Sequence, residues 1–278
     1  MAISMKDLKQ VGGIEPPRIL LYGPEKGGKT TLANEFPNAV FLQTEQGTGR
    51  LKLNSFGKLQ SYTEVMDAIT ALYQEEHKYK NVVVDSVTAL QPLIWAETGE
   101  RGDDKGVKRA RIEDFGYGKG FSYALIVWQE FLEGIMALRR DRGMGVILIA
   151  HSKIERFDDP ETVAYSRYEI DLHDKARDYL KRESDAIILL KPDVTIKTEE
   201  QGFSKTRARG DGGRNVWMNM SSRPAYAAGN RYDMPEKILY ERGKGYAALA
   251  PYLFGTVAVE PEKVETKPDA KAAKAKAA

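Results

Sequence analysis

Eight residues, Gly23-Pro24-Glu25-Lys26-Gly27-Gly28-Lys29-Thr30, fit the spacing G-x-x-x-x-G-K-[ST], and Thr31 follows them. A glycine-rich turn of this length lets consecutive backbone N–H groups converge on the oxygens of a polyphosphate. Lys29 would place a point charge between the β- and γ-phosphates, and the Thr30 hydroxyl would ligate Mg²⁺. The apolar run Ile19-Leu20-Leu21-Tyr22 stands in front, and a helix is expected to start as the turn ends. The pattern therefore has the strand–loop–helix setting that a phosphate cradle needs. Residues 23–31 are expected to hold ATP with Mg²⁺, against the plainer alternative of a surface glycine turn.

Three further groups could complete that chemistry. Val82-Val83-Val84 runs into Asp85, a carboxylate that could hold the metal directly or through water. A strand that merely ends in a helix-capping aspartate reads the same way, although Ser86 or Thr88 is the better cap. Glu45 follows the apolar run Ala39-Val40-Phe41-Leu42 and could orient or deprotonate an attacking water. The position beside Asp85 is Ser86, which leaves that role to Glu45; the alternative is a solvated loop glutamate before Gly47. His151 ends the run Val146-Ile147-Leu148-Ile149-Ala150. It could bond the γ-phosphate or the lytic water and report their loss to the next loop, or simply satisfy a backbone carbonyl.

These groups must be positioned by strands. The reading is a strand at 19–22, a helix over 28–36 ended by Pro37, strands at 39–42 and 81–85, and a helix over 63–77. Helices at about 88–98 and 121–141, a strand at 145–150, a helix near 171–182 and a strand at 186–190 follow. Alternation of apolar strands and helices predicts an α/β fold: a mostly parallel sheet covered on both faces, with ligands beyond the strand carboxyl ends. After Pro192 the alternating Val194-Thr195-Ile196-Lys197 predicts antiparallel hairpins extending the sheet. Residues 1–17 read as a lead-in, 18–256 as the core, and the Ala/Lys-rich 257–278 as a disordered tail.

With no cysteine among 278 residues, disulfides, thiolate metal sites and cysteine nucleophiles are excluded, and three scattered histidines make a histidine metal cage improbable. A net charge of +2 argues against a general polyanion coat. No run suggests a membrane span or a signal peptide, so a cytoplasmic protein without a membrane partner is expected.

Gly23–Thr30, Thr44-Glu45-Gln46-Gly47, Val84-Asp85-Ser86 and Ile149-Ala150-His151-Ser152 resemble the RecA-like P-loop ATPases. The resemblance is closest to the phage nucleotide-binding group that includes RecA-like single-strand annealing proteins. Two longer segments, 112–120 and 229–235, carry that finer likeness, which spans about residues 16–255. It implies a RecA core, standing alone without a helicase accessory domain, that binds single-stranded DNA and promotes annealing or recombination. It also implies a homo-oligomer, with nucleotide between subunits, and cooperation with a single-strand-binding protein. The Lys/Ala-rich tail departs from an acidic partner-binding tip.

DNA contacts are expected in the loop over 99–119, where Lys108, Arg109, Arg111 and Lys119 stand near Tyr117, mixing phosphate-binding cations with a base-stacking ring. Acidic residues in the same stretch make a plain solvated loop an equal alternative. Lys153 and Arg156 join the set because the loop after His151 enters the DNA path in proteins of the resembled kind. Arg207, Arg209, Arg214 and Arg231 are candidates for the charge that completes the transition state from a neighbouring subunit. The rival readings are a helicase-like or helicase-loading ATPase, a small-molecule kinase, and a nucleotide-gated interaction module.

Overall fold

The computed structural model describes residues 4–5, 8, 12–47, 49–160, 163–201 and 205–255, the side chains of 194–201, 205–212 and 214 excepted. The chain opens with β1 (Arg18–Gly23), α1 (Lys29–Asn34), β2 (Ala39–Gln43), β3 (Asn54–Lys58) and α2 (Tyr62–Gln74). Next come β4 (Asn81–Asp85), α3 (Val87–Arg101), a 3-10 turn (Ile112–Phe115) and α4 (Lys119–Arg142). β5 (Gly145–Phe157), β6 (Tyr165–Ile170), α5 (Asp174–Glu183), β7 (Ala186–Gln201) and β8 (Lys205–Asn219) follow. The last described elements are β9 (Gly229–Asn230), β10 (Lys237–Tyr240) and α6 (Gly245–Leu253).

The strands lie in the order β10-β8-β7-β1-β5-β4-β2-β3. From β7 to β3 every neighbour is parallel. β8 and β10 extend the β7 side antiparallel. The period of two in each strand divides its apolar residues between two cores. Leu20, Tyr22, Val82 and Val84 face α2 to α5, packing with Val65, Ile94, Trp128, Phe131 and Leu180. Ile19, Leu21 and Val83 face α1 and α6, packing with Leu32, Phe36, Leu249 and Leu253. Burial on both faces is why these strands read as unbroken apolar runs.

Four elements differ from the sequence expectation. All five residues of β3 are exposed, so this edge strand carries no apolar signal. β5 runs on past His151 to Phe157 and pairs with β6 in an antiparallel hairpin, where a polar loop was expected. Its burial falls from continuous to alternating at His151, and polar residues in that pattern hide a strand. α6, which runs on through Pro251, was not anticipated. α4 has the length and apolar composition to cross a bilayer, contrary to the expectation that no run approached that length. It is instead packed on the sheet through Trp128, Phe131, Leu132 and Ile135, all at most 2% exposed. The tail at 257–278 lies outside the described residues.

Candidate nucleotide site

β1 delivers the chain into the glycine loop at the carboxyl end of the sheet. Gly28 caps α1 in the left-handed region at φ 96°, a conformation that a side chain would strain. Lys29 is 5% exposed. Its Nζ donates to Gly23 O at 2.9 Å and Pro24 O at 2.8 Å. Burial lowers the Lys29 pKa, and the carboxylates of Asp85, Glu45 and Glu25 oppose that shift. The ammonium is thus held over the loop by neutral carbonyls, without an ion pair of its own.

The parallel register places the remaining groups. Gly23 pairs with His151 across β1 and β5, and Gln43 pairs with Asp85 across β2 and β4. The Thr30 hydroxyl donates to Asp85 Oδ2 at 2.8 Å, so the two expected metal ligands already touch. Burial raises the Asp85 pKa, and the Thr30 hydrogen bond works against it. Thr44 fixes the end of β2: its amide donates to Asp85 O, and its hydroxyl donates to Ser86 O at 2.7 Å while accepting from Ser86 N at 3.0 Å. Ser86 caps α3 by accepting from Ala89 N, as the sequence indicated, and Asp85 is left for the site.

Glu45, carried on this anchored turn, meets His151. His151 Nε2 lies 3.0 Å from Glu45 Oε1 and 3.1 Å from Oε2. An ionised carboxylate only accepts, so Nε2 carries the proton. That bond is the main reason the Glu45 pKa is lowered, with burial opposing it. The second ring nitrogen, Nδ1, is buried and has no hydrogen-bond partner. The histidine is therefore not the carbonyl-satisfying core residue of the plainer reading.

Residues 25–31, 45–47, 49–51, Asp85, His151 and Arg242 line one cleft of about 710 Å³. Among the described residues no cluster of three or more His, Cys, Asp or Glu is arranged to hold a metal alone. One carboxylate and one hydroxyl instead suit Mg²⁺, which takes oxygen ligands and keeps phosphate and water in the rest of its shell. Thr30 and Asp85 would hold it, and it would neutralise charge on the phosphates. Arg50 and Arg242 enter the cleft from loops and were missed by sequence reasoning, since nothing in local spacing marks an arginine that reaches the site from a distant turn.

The other candidates are more scattered. Lys108 pairs with Glu100 at 3.0 Å, Arg109 with Asp103 at 3.4 Å and Arg111 with Asp114 at 3.7 Å. This loop is thus largely self-neutralised, although Tyr117 is fully exposed beside Lys119 at the start of α4. Lys153 and Arg156 lie on the β5–β6 hairpin, paired with Glu155 at 3.1 Å and Asp158 at 3.2 Å. Arg207, Arg209 and Arg214 belong to β8, and their side chains lie outside the described ones. Arg231 sits at the opposite end of the sheet, 3.1 Å from Asp185.

A central strand, a glycine loop, a buried lysine and a touching Thr–Asp pair define a P-loop nucleoside-triphosphatase domain. The AAA domain family matches residues 15–232, more than half of the chain, and the protein belongs to that family of P-loop ATPases. No curated protein sequence matches it.

Proposed function

We propose that the protein is a RecA-like, Mg²⁺-dependent ATPase that uses hydrolysis to regulate its hold on single-stranded DNA during annealing or recombination. In this reading Lys29 and the loop amides bind the phosphates, and Thr30 and Asp85 hold the metal. Glu45, kept ionised by His151, accepts the proton of the attacking water. Arginine from a second copy of the chain would complete the charge, and a single-strand-binding protein would act beside it.

The observation that carries the DNA step is the continuity of β5. One strand holds His151 against Glu45 and then continues as the hairpin bearing Lys153 and Arg156. A change at Glu45 as the γ-phosphate leaves would reach the hairpin through a single backbone. ATP turnover measured with and without single-stranded DNA, with Lys29→Ala as blank, tests the reading. Salt-sensitive stimulation by DNA, lost in His151→Ala while ATP binding persists, is expected. Turnover indifferent to DNA would overturn the DNA step and favour an acceptor kinase or an interaction module.

A further inference from the structure

Arg242 enters the phosphate cleft from the far edge of the sheet, and a single carboxylate at the C-terminal cap of α1 fixes the segment that carries it. β10 ends at Tyr240, and the turn over 241–244 leads into α6. Glu35 follows the last residue of α1. Its Oε1 accepts from the Tyr240 hydroxyl at 2.8 Å and Gly243 N at 2.7 Å. Its Oε2 accepts from Gly245 N at 2.6 Å and Tyr246 N at 3.2 Å. The carboxylate thereby satisfies the open amides at the start of α6 and ties the turn to α1. The seat is close: a Cβ on Gly245 would lie 2.3 Å from Leu32 Cδ1 and 2.7 Å from the Tyr240 ring. The same ring borders the phosphate loop, where a Cβ on Gly28 would lie 3.4 Å from it.

So held, Arg242 lines the cleft beside the loop, and its Nη2 lies 3.4 Å from the Thr31 hydroxyl. That is one long contact for a group with five N–H donors. Around the same cleft, Glu45 from the turn after β2, Asp85 from β4 and His151 from β5 mark the reacting end. Arg242 comes instead from the β10–α6 turn and meets the residue after the metal-binding threonine.

We propose that Arg242 binds the non-transferred phosphates of the nucleotide, with Glu35 as its positioning residue; this rests on the nucleotide-site reading above. A contact to the part that does not react is equally strong in ground and transition states. Its loss therefore raises KM and leaves kcat nearly unchanged, and it weakens ADP as much as ATP. Removal of Glu45 or Asp85 acts on the reacting end instead.

The test is equilibrium titration of the full chain, in Mg²⁺, with fluorescent ADP and a fluorescent non-hydrolysable ATP analogue, beside steady-state ATP turnover. Arg242→Ala, at an exposed residue, should weaken both ligands about tenfold while kcat stays within about twofold. Arg242→Lys should recover part of the loss. Glu35→Gln should weaken both ligands too, and adding it to Arg242→Ala should bring no further loss, since it acts only through the arginine. If Glu35→Gln does not fold, the two Arg242 variants carry the test alone. Unchanged affinities in Arg242→Ala, with Lys29→Ala unable to bind, would overturn the role of Arg242 and leave the nucleotide site standing. So would a fall in kcat at unchanged ADP affinity. Wild-type protein that binds neither ligand would overturn the site reading itself.

Discussion

The two ends of the central strands both carry charged clefts, of about 710 Å³ at the phosphate loop and about 510 Å³ at the opposite end. Size and charge do not separate them, but pairing does. At the far end Asp185 accepts from Arg18 Nε at 2.9 Å and Nη2 at 2.5 Å, from Arg231 Nη1 at 3.1 Å and from the Tyr232 hydroxyl at 3.3 Å. Burial alone would raise the Asp185 pKa, but the Arg18 guanidinium holds it below the usual aspartate range. Arg139 bonds Pro16 O and pairs with Glu15, which ties the lead-in to the same knot. At the loop end Lys29 rests on neutral carbonyls, His151 keeps an unpartnered Nδ1, and Arg242 has one long contact. Charges that already satisfy one another hold a fold together, whereas charges left under-satisfied are available to a ligand.

Substitutions at the two ends should therefore fail differently. The largest effect is expected from Lys29→Ala, which should lower ATP turnover about a thousandfold, or about 4 kcal/mol. Chemical unfolding of the same variant should show a stability change of at most about 1 kcal/mol, because relief of the buried ammonium's desolvation offsets the two hydrogen bonds to carbonyls that are lost. A large stability loss instead would assign Lys29 to the scaffold and break the contrast.

Asp185→Asn should do the reverse. It leaves Arg18 and Arg231 without their buried anion and is expected to lower unfolding free energy by about 3 kcal/mol. Turnover per folded molecule, measured well below the unfolding midpoint, should stay at the wild-type value.

The smallest effect sharpens the contrast within the loop end. Glu169, at the base of the hairpin and 1% exposed, meets Arg167 and Lys181 at 2.7 Å each. Burial would raise its pKa, yet Lys181 and Arg167 hold it below the ordinary glutamate value. A lowered folded-state pKa gives stability that is present above the unfolded value, about 4.3, and lost as pH falls through the folded one. Glu169→Gln should thus cost about 2 kcal/mol at pH 7, and the gap to wild type should narrow below about pH 4. A gap independent of pH would mean that packing, and not the charge, is what Glu169 supplies.

Wherever an element is long and apolar on both faces, its place could be read from residue order. β1, β4 and the first half of β5 belong to that set, and helices α2 to α4 were legible instead from the single buried stripe each turns to the core. β3, the outer half of β5 and β6 could not, because their polar residues satisfy the backbone ladder without leaving an apolar signature. The same division runs through the site. Asp85 and His151 close buried apolar runs, Glu45 stands two residues beyond one, and Lys29 and Thr30 follow β1 through the glycine loop, so local order already placed them at one end of a parallel sheet.

The amino-acid sequence alone determined a P-loop in its strand–helix setting, a parallel α/β core and the polar groups at its strand ends. Tertiary structure decided which of those groups meet: Glu45 with His151 across 106 positions, and Thr30 with Asp85 across 55. It also decided that Arg242 reaches the cleft, through a carboxylate 208 positions before Gly243. Helix and strand periodicity are local, whereas strand order and register arise from burying two apolar faces at once. Contacts between distant residues follow only after that packing is complete.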